Sequence, residues 1–222
     1  LDSGDISYLS KQARKMLDEA GLTTCKIVAS NALDEHLIRD LLMQGAQVDT
    51  FGVGERMITS KSAPVFGGVY KLVAIENDKG EIVPKIKLSE NTTKITNPHF
   101  KKVYRLYDNE TGKAIADEIC LHDEVIDTAK PHVIFDPDAT WKQKTLTNFS
   151  VRELQVPIFK NGKRVYTSPS ISEIRDYCAR EVESLWDEVK RFENPHRYYV
   201  DLSKKLWDIK KELCVKNSLT DK

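Results

Sequence analysis

The hydrophobic positions in the first third of the chain follow two different spacings. Apolar residues three and four positions apart predict one helix from Ser7 to Ala20 and a second from Leu33 to Gln44. Short apolar runs with β-branched residues, Cys25–Ser30 and Val48–Val53, predict two buried strands. Helices that alternate with apolar strands in this way are typical of a parallel α/β unit.

From Val69 onward the apolar positions recur at every second residue, which is the period of a β-strand. We predict β-hairpins around the turn sequences Asn77–Gly80, Asn109–Gly112 and Asn161–Gly162. Residues 127–150 carry prolines and few periodic apolar positions, so we interpret them as a loop or a crossing segment. The middle of the chain is therefore expected to consist mainly of antiparallel strand pairs.

Two further helices are predicted towards the end of the chain. Ser170–Phe192 has an apolar stripe at helical spacing, and its Ser170 and Glu173 stand at the two positions of a capping box. Leu202–Leu213 is predicted as the final helix. Together these patterns divide the chain into three segments, 1–68, 69–126 and 127–222.

Composition narrows the class of protein without identifying it. The chain has 222 residues, with 34 basic and 34 acidic side chains, so no net charge favours nucleic acid or an anionic membrane surface. No apolar run approaches the roughly 20 residues of a membrane span. The four cysteines show no Cys-x-x-Cys spacing, which argues against a zinc site or a redox pair and fits a reducing cytoplasm.

Three strand-to-helix turns are the candidate ligand-binding positions: two follow the predicted strands, and the first, at Asp2, follows a strand that we expect before Leu1. In parallel α/β folds, ligands bind outside the carboxyl ends of the strands, where free backbone N–H groups at a helix start attract phosphate. Each turn also has a plain structural explanation, since glycine serves tight turns and Asp5 or Ser7 can cap a helix. The candidate substrate-binding residues are Asp2, Ser3, Gly4, Asp5, Ser30, Asn31, Gly52, Val53, Gly54 and Glu55.

Five separated stretches together resemble the nicotinate phosphoribosyltransferases. They read "LDSGDISYLSKQAR", "IVASNALDEHLI", "GAQVDTFGVGERMITSKSAPVFGGVYKLV", "KIKLSEN" and "NPHRYYVDLSKKLWDIKKEL". The resemblance covers almost the whole chain and is weakest at 125–150. It implies an α/β fold in which segment 1–68 is the last part of an irregular (β/α) barrel of the type II phosphoribosyltransferase kind. β-Hairpins and C-terminal helices would follow this barrel part.

The resemblance also implies a reaction. Nicotinate and phosphoribosyl pyrophosphate would give nicotinate mononucleotide and pyrophosphate, coupled to ATP hydrolysis with Mg²⁺, in a homodimer of the intact chain. Asp2 would hold ribose hydroxyls, Ser30 and Asn31 would face ribose and phosphate, and the turn Gly52–Glu55 would cradle the 5′-phosphate. No catalytic residue and no metal ligand is expected in this chain, because the family's phosphorylated histidine is expected before Leu1.

Two departures from the family pattern matter. Glu55 stands where many relatives have threonine, so its carboxylate should point away from a phosphate and leave Arg56 or Lys61 as the counter-charge. The arginine before Leu1 and the aromatic residues that hold nicotinate are also outside this sequence. None of the five histidines lies in the family's catalytic context; they are His36, His99, His122, His132 and His196.

Three alternatives stay open at the level of the sequence. A related enzyme of the same fold would use nicotinamide or quinolinate in place of nicotinate. A protein of another class would be a non-catalytic scaffold that keeps a phosphate pocket. Lys71 and Lys87 would reach pyrophosphate in an active site, or would only solvate one face of a strand.

Overall fold

The computed structural model describes residues 1–65 and 67–218. The chain divides into two compact units, Leu1–Val69 and Tyr70–Lys222. The helices are α1 (Ile6–Glu19), α2 (Glu35–Met43), α3 (Glu55–Ile58), α4 (Ile171–Glu183) and α5 (Lys204–Ser218), with a 3₁₀ turn at Thr92–Lys94. The strands are β1 (Val28–Ala29), β2 (Thr50–Phe51), β3 (Ala74–Glu76), β4 (Ile82–Pro84), β5 (Lys101–Asp108), β6 (Ala114–Leu121), β7 (His132–Phe135), β8 (Gln143–Leu146), β9 (Phe149–Glu153), β10 (Phe159–Lys160), β11 (Lys163–Arg164) and β12 (Val200–Leu202).

The helices of the first unit begin at aspartate caps. The Asp5 carboxylate accepts a hydrogen bond from the Tyr8 N–H at 2.9 Å, and the Asp34 carboxylate accepts one from the Leu37 N–H at 2.9 Å. Each cap satisfies an N–H group that has no partner within its own helix. The two predicted helices are confirmed, with ends that differ from the prediction by one or two residues.

The strands of the first unit are parallel but shorter than predicted. β1 pairs with β2 in the parallel direction, with Ala29 opposite Phe51. On the other side of β1, the Leu1 nitrogen donates to the Val28 carbonyl and the Ser30 N–H donates to the Leu1 carbonyl, both at 2.8 Å. These two bonds follow the slanted pattern of a parallel pair. The core beneath them contains Ile6, Ala29, Leu33 and Leu41.

A four-stranded sheet forms the centre of the second unit, in the order β12, β6, β5, β9. β5 and β6 are the predicted hairpin around Asn109–Gly112, and the shorter predicted hairpins are present as β3–β4 and β10–β11. The core on this sheet contains Tyr104, Leu106, Ala116, Cys120, Ile126, Ile134, Leu146 and Phe149.

Of the two interpretations of residues 127–150, a loop or a crossing segment, the loop is wrong. β7 and β8 form an antiparallel hairpin there, and β9 starts at Phe149 and pairs with β5. The spacing of apolar residues does not reveal these strands, because each is only four or five residues long. In β7 and β8 the buried positions are Ile134, Phe135 and Leu146, which do not alternate with exposed ones. Burial against the sheet, rather than local alternation, therefore sets their structure.

The last two helices differ from the prediction: α4 ends earlier than predicted, and α5 starts two residues later and ends five residues later, at Lys204 and Ser218. The capping box of Ser170 and Glu173 is present, but α4 ends at Glu183 instead of Phe192. The Ser184 carbonyl accepts a hydrogen bond from the Ala114 N–H at 2.8 Å. In a longer helix this carbonyl would instead accept a hydrogen bond from an N–H of the next turn. Leu202, predicted as a helix residue, is 3% exposed and belongs to β12. No helix in the described part of the chain has the length and apolar character to cross a bilayer.

Candidate functional site

The structure brings the three candidate turns to one edge of the first unit. Leu1, β1 and β2 run side by side in the same direction, and Asp2, Ser30 and Gly52 follow directly at their carboxyl ends. The Gly52 N–H donates to the Ala29 carbonyl at 2.7 Å. A Cβ atom added at Gly52 would lie 3.5 Å from the Ser30 Cβ, so the second and third turns are in contact distance.

In the first turn the two aspartates have different roles. Asp5 caps α1, which is the structural alternative stated above. Asp2 and Ser3 are exposed, and the Asp2 carboxylate has no hydrogen-bond partner among the described residues. Gly4 has φ +73°, and an added Cβ would lie 3.1 Å from Leu9 Cδ1, so this glycine is required for the turn. Asp2 is therefore the acid in this turn that is available to a ligand.

The second turn has a left-handed backbone. Asn31 has φ 84° and Ala32 has φ 46°. Asparagine adopts this conformation more easily than most residues, because its short polar side chain can bond locally. Ser30 is half-buried and its N–H is bonded to Leu1, whereas Asn31 is exposed. The exposed amide of Asn31 is thus the polar group that this turn presents.

The third turn presents backbone N–H groups. In the described part of the chain, the N–H groups of Val53, Gly54 and Glu55 donate no hydrogen bond to other residues. Nothing lies within 4 Å of a Cβ atom built on Gly54. Since α3 has four residues, its dipole is small, and an anion at this turn would depend on the N–H groups themselves.

The expected counter-charges at the third turn are already engaged. Arg56 Nη1 lies 2.6 Å from Asp34 Oδ2, and Lys61 Nζ lies 3.4 Å from Glu55 Oε1. The pKa of Asp34 is lowered, first by the hydrogen bond from the Leu37 N–H and then by the charge of Arg56. Whether Arg56 or Lys61 also serves as a counter-charge to a phosphate stays a prediction. Glu55 is held by Lys61 with a largely exposed side chain.

The described residues do not fit a Mg²⁺ site. No three His, Cys, Asp or Glu side chains in the part of the chain that the structure describes come close enough to hold a metal ion. In the first turn, Asp5 is used by the cap and leaves Asp2 alone. A hard cation such as Mg²⁺ requires several oxygen ligands in octahedral geometry, so we assign no metal to these turns.

The second unit contains charged groups that the sequence analysis did not identify. Arg105 makes two bonds to Asp117, at 2.8 and 2.9 Å, and a third at 3.0 Å to Glu181 on α4. Asp117 also accepts a hydrogen bond from the Tyr198 hydroxyl at 2.8 Å. Hydrogen bonding to Asp117 raises the pKa of Arg105, so its charge is permanent. This network fastens α4 to the sheet.

His132 also has a partner that its sequence context does not suggest. Its Nε2 lies 2.6 Å from Oε2 of Glu118, which is 1% exposed. The hydrogen bond with Glu118 raises the pKa of His132. The sequence alone does not single out Glu118, because its position in the protein results from the pairing of β6 within the sheet.

Lys71 and Lys87 are exposed, and whether they face pyrophosphate stays a prediction.

Comparison with known proteins identifies the family. A model described as the nicotinate phosphoribosyltransferase C-terminal domain matches residues 100–210. The nicotinate phosphoribosyltransferase of Bacillus subtilis is 47% identical over 210 residues, which are 95% of this chain and 43% of that protein. The chain thus spans less than half the length of this relative.

Solved structures agree with this assignment. The crystal structure of human nicotinic acid phosphoribosyltransferase superimposes with a TM-score of 0.70 at 25% identity, over 96% of this chain and 39% of that one. A nicotinate-nucleotide pyrophosphorylase from Pyrococcus furiosus gives a TM-score of 0.52 at 24% identity over 83% of this chain and 39% of that one, and shows the mixed α/β fold alone. Because the family model covers half of its length, the chain belongs to the nicotinate phosphoribosyltransferase family, in its C-terminal part.

Proposed function

We propose that the protein carrying this chain joins nicotinate to phosphoribosyl pyrophosphate, giving nicotinate mononucleotide and pyrophosphate in NAD salvage. The observation that carries the proposal is the row of three turns at adjacent parallel strand ends, in a chain of this family. ATP, with Mg²⁺, would be hydrolysed to ADP and phosphate in the intact enzyme. We assign no step of that hydrolysis to these residues, since they do not fit the metal.

Each turn would bind a different part of the phosphoribosyl group. The exposed Asp2 carboxylate would accept hydrogen bonds from ribose hydroxyls, and the exposed Asn31 amide beside Ser30 would bond to ribose or phosphate. The free N–H groups of the Gly52–Glu55 turn would cradle the 5′-phosphate. The chain's contribution would be to bind and orient, which supplies rate through positioning.

The finer features of the fold belong to the same proposal. The parallel strands and helices of segment 1–68 would complete an irregular (β/α) barrel, followed by the hairpins of 69–126 and the hairpins and helices of 127–222. The working form would be a cytoplasmic homodimer of the intact chain. The family assignment supports these statements, and the four free cysteines suit a reducing compartment.

Pyrophosphate release by the full-length protein tests the activity. We expect release that requires nicotinate and phosphoribosyl pyrophosphate and increases with ATP, with nicotinamide and quinolinate as the comparison substrates. Preference for either comparison substrate would move the assignment to a related enzyme of the same fold. Tight binding of phosphoribosyl pyrophosphate without turnover of any of the three bases would favour the non-catalytic scaffold.

The Asp2→Asn variant is expected to lower turnover by at least about tenfold, or roughly 1.4 kcal/mol. Ribosyl transfer builds positive charge on the sugar, so the carboxylate helps more in the transition state than in the ground state. The matched control is Asp5→Asn on the same turn, because asparagine keeps the cap while removing the charge. Equal losses in both variants, or a lower melting temperature with normal turnover for Asp2→Asn, would refute the role of Asp2.

The Gly54→Val variant is expected to weaken binding of phosphoribosyl pyrophosphate by about tenfold or more, with little change in stability. A Cβ at this position meets no protein atom within 4 Å, so the added side chain fills only space that a ligand would use. Gly68→Val is the control, because a Cβ there also meets nothing within 4 Å. If titration calorimetry gives the same affinity for both variants, the phosphate does not bind at this turn.

A further inference from the structure

The second unit contains a cavity that the proposed function does not use. Its volume is about 500 Å³, within the size range of small-molecule pockets. The walls include Ile134, Trp186 and Tyr198, and the acids Asp136 and Asp201 also line it. Aromatic walls with a few polar groups are the usual composition of a site for a small organic molecule.

Asp201 is a buried acid without a protein partner. Its residue is 5% exposed, and its carboxylate makes no hydrogen bond or ion pair with any group in the described part of the chain. In β12 it stands opposite Glu118 of β6, whose own carboxylate is bonded to His132. A largely buried carboxylate without a protein donor is costly, because it has lost most of its water and gained no hydrogen bond in return.

The charges around Asp201 make it a strong acceptor that lacks a donor. Burial raises its pKa to about 6, and the negative charges of Asp136 and Glu118 act in the same direction, while Arg197 opposes them. At neutral pH the group is ionised and faces the cavity beside a second carboxylate, Asp136. A ligand with N–H donors would stabilise this ionised form.

The cavity lining also carries positive charge. Lys142, Lys144 and Arg197 are exposed, and none of their side chains forms an ion pair among the residues that the structure describes. Asp201 is buried and these three cations are exposed, so the bases lie towards solvent; the exposed acid Glu188 also lines the cavity and lies 4.0 Å from Arg191. A molecule that matches both ends would carry donors at one end and an anionic group at the other.

We propose that this cavity binds a small planar aromatic molecule with two adjacent N–H donors at one end and an anionic group at the other. The donor edge lies against Asp201, because two parallel N–H groups match the two oxygens of a carboxylate. The ring lies among Trp186, Tyr198 and Ile134, and the anionic group lies near Lys144. This site is additional to the phosphoribosyl turns.

Three matched probes separate the parts of this proposal. 4-Amidinobenzoate has the donor edge, the ring and the anionic group; benzamidine lacks the anion; benzoate lacks the donors. By titration calorimetry on the full-length protein at pH 7.5, we expect 4-amidinobenzoate to bind several-fold more tightly than benzamidine. Benzoate is expected to bind at least about tenfold more weakly than benzamidine, because it lacks both N–H donors and so loses the charge-assisted bonds to Asp201. Equal affinities for benzoate and benzamidine, or no binding of either amidine, would overturn the proposal.

Variants locate the binding. Asp201→Asn is expected to lose at least about tenfold in affinity for both amidines, whereas the exposed neighbour Asp138→Asn is expected to lose none. Lys144→Met is expected to lower the affinity for 4-amidinobenzoate to that for benzamidine, and to leave the affinity for benzamidine unchanged. Wild-type affinity for benzamidine should fall as the pH drops through 6 and Asp201 is protonated. Unchanged affinity in Asp201→Asn would place the ligand elsewhere and end the proposal.

Discussion

Replacement of Arg105 by methionine is expected to destabilise the second unit by about 3–5 kcal/mol, the usual cost of removing one partner from a buried ion pair. Arg105 makes three short bonds, two to Asp117 and one to Glu181. Asp117 is 8% exposed, so the variant leaves an uncompensated charge next to the hydroxyl of Tyr198. Methionine keeps most of the aliphatic stem, which confines the effect to the lost charge.

Denaturant unfolding measures this effect, and Arg152→Met is the matched control. Arg152 also pairs with Glu181, at 2.6 Å, but its side chain is 42% exposed and Glu181 keeps Arg105 as a partner. An exposed pair of this kind contributes about 1 kcal/mol or less. Equal losses in the two variants would show that Asp117 is not the residue that depends on Arg105.

Replacement of Asp201 by asparagine is expected to stabilise the protein by about 3 kcal/mol above neutral pH. This figure follows from the difference between the ordinary pKa of 3.8 and the folded-state pKa of about 6. The folded state holds this proton more tightly than the unfolded state does. Stability therefore falls as the pH rises from about 4 to 6, and the full cost is present above pH 6. Asparagine removes the charge, so the gain over the wild type should shrink towards zero as the pH falls to 4.

Comparison of the variant with the wild type at each pH isolates Asp201 from its neighbours. The raised pKa of His132 also stabilises the fold below pH 6.5, and this contribution is lost as the pH rises through the folded-state value. Since His132 is present in both proteins, its contribution cancels in the difference. A variant that is less stable than the wild type at pH 8 would show that the carboxylate has a donor in solution.

Local patterns allowed parts of the second unit to be predicted from sequence. The turn at Asn109–Gly112 sets the register of β5 and β6, and that register places Arg105 opposite Asp117. The capping box at Ser170 and Glu173 is equally local and is present. β12 is different, because Val200–Leu202 becomes a strand only by pairing with β6 far earlier in the chain.

In the candidate site too, features set by local sequence were predicted, and features set by contacts between distant residues were not. Asn31 and Gly54 follow apolar runs, and this adjacency was enough to locate their turns at strand ends. Only Leu1 precedes Asp2 in this sequence, and the hydrogen bonds of Leu1 with Val28 and Ser30 place Asp2 at a strand end. The engagement of Arg56 by Asp34 depends on how α2 and α3 lie in space, which no spacing reveals. Asp201 was missed for the same reason, since its burial results from a pairing with Glu118 across most of the second unit.

The late position of β12 has a consequence for biosynthesis. β5 and β6 leave the ribosome before β12 has been made, so the edge of β6 at Asp117–Ile119 has no partner during that time. At about 5–20 residues per second, synthesis of the intervening chain takes on the order of ten seconds. An unpaired edge can join other nascent chains. Two of the three residues at this edge, Asp117 and Glu118, are acids, which would discourage such pairing until β12 has been made.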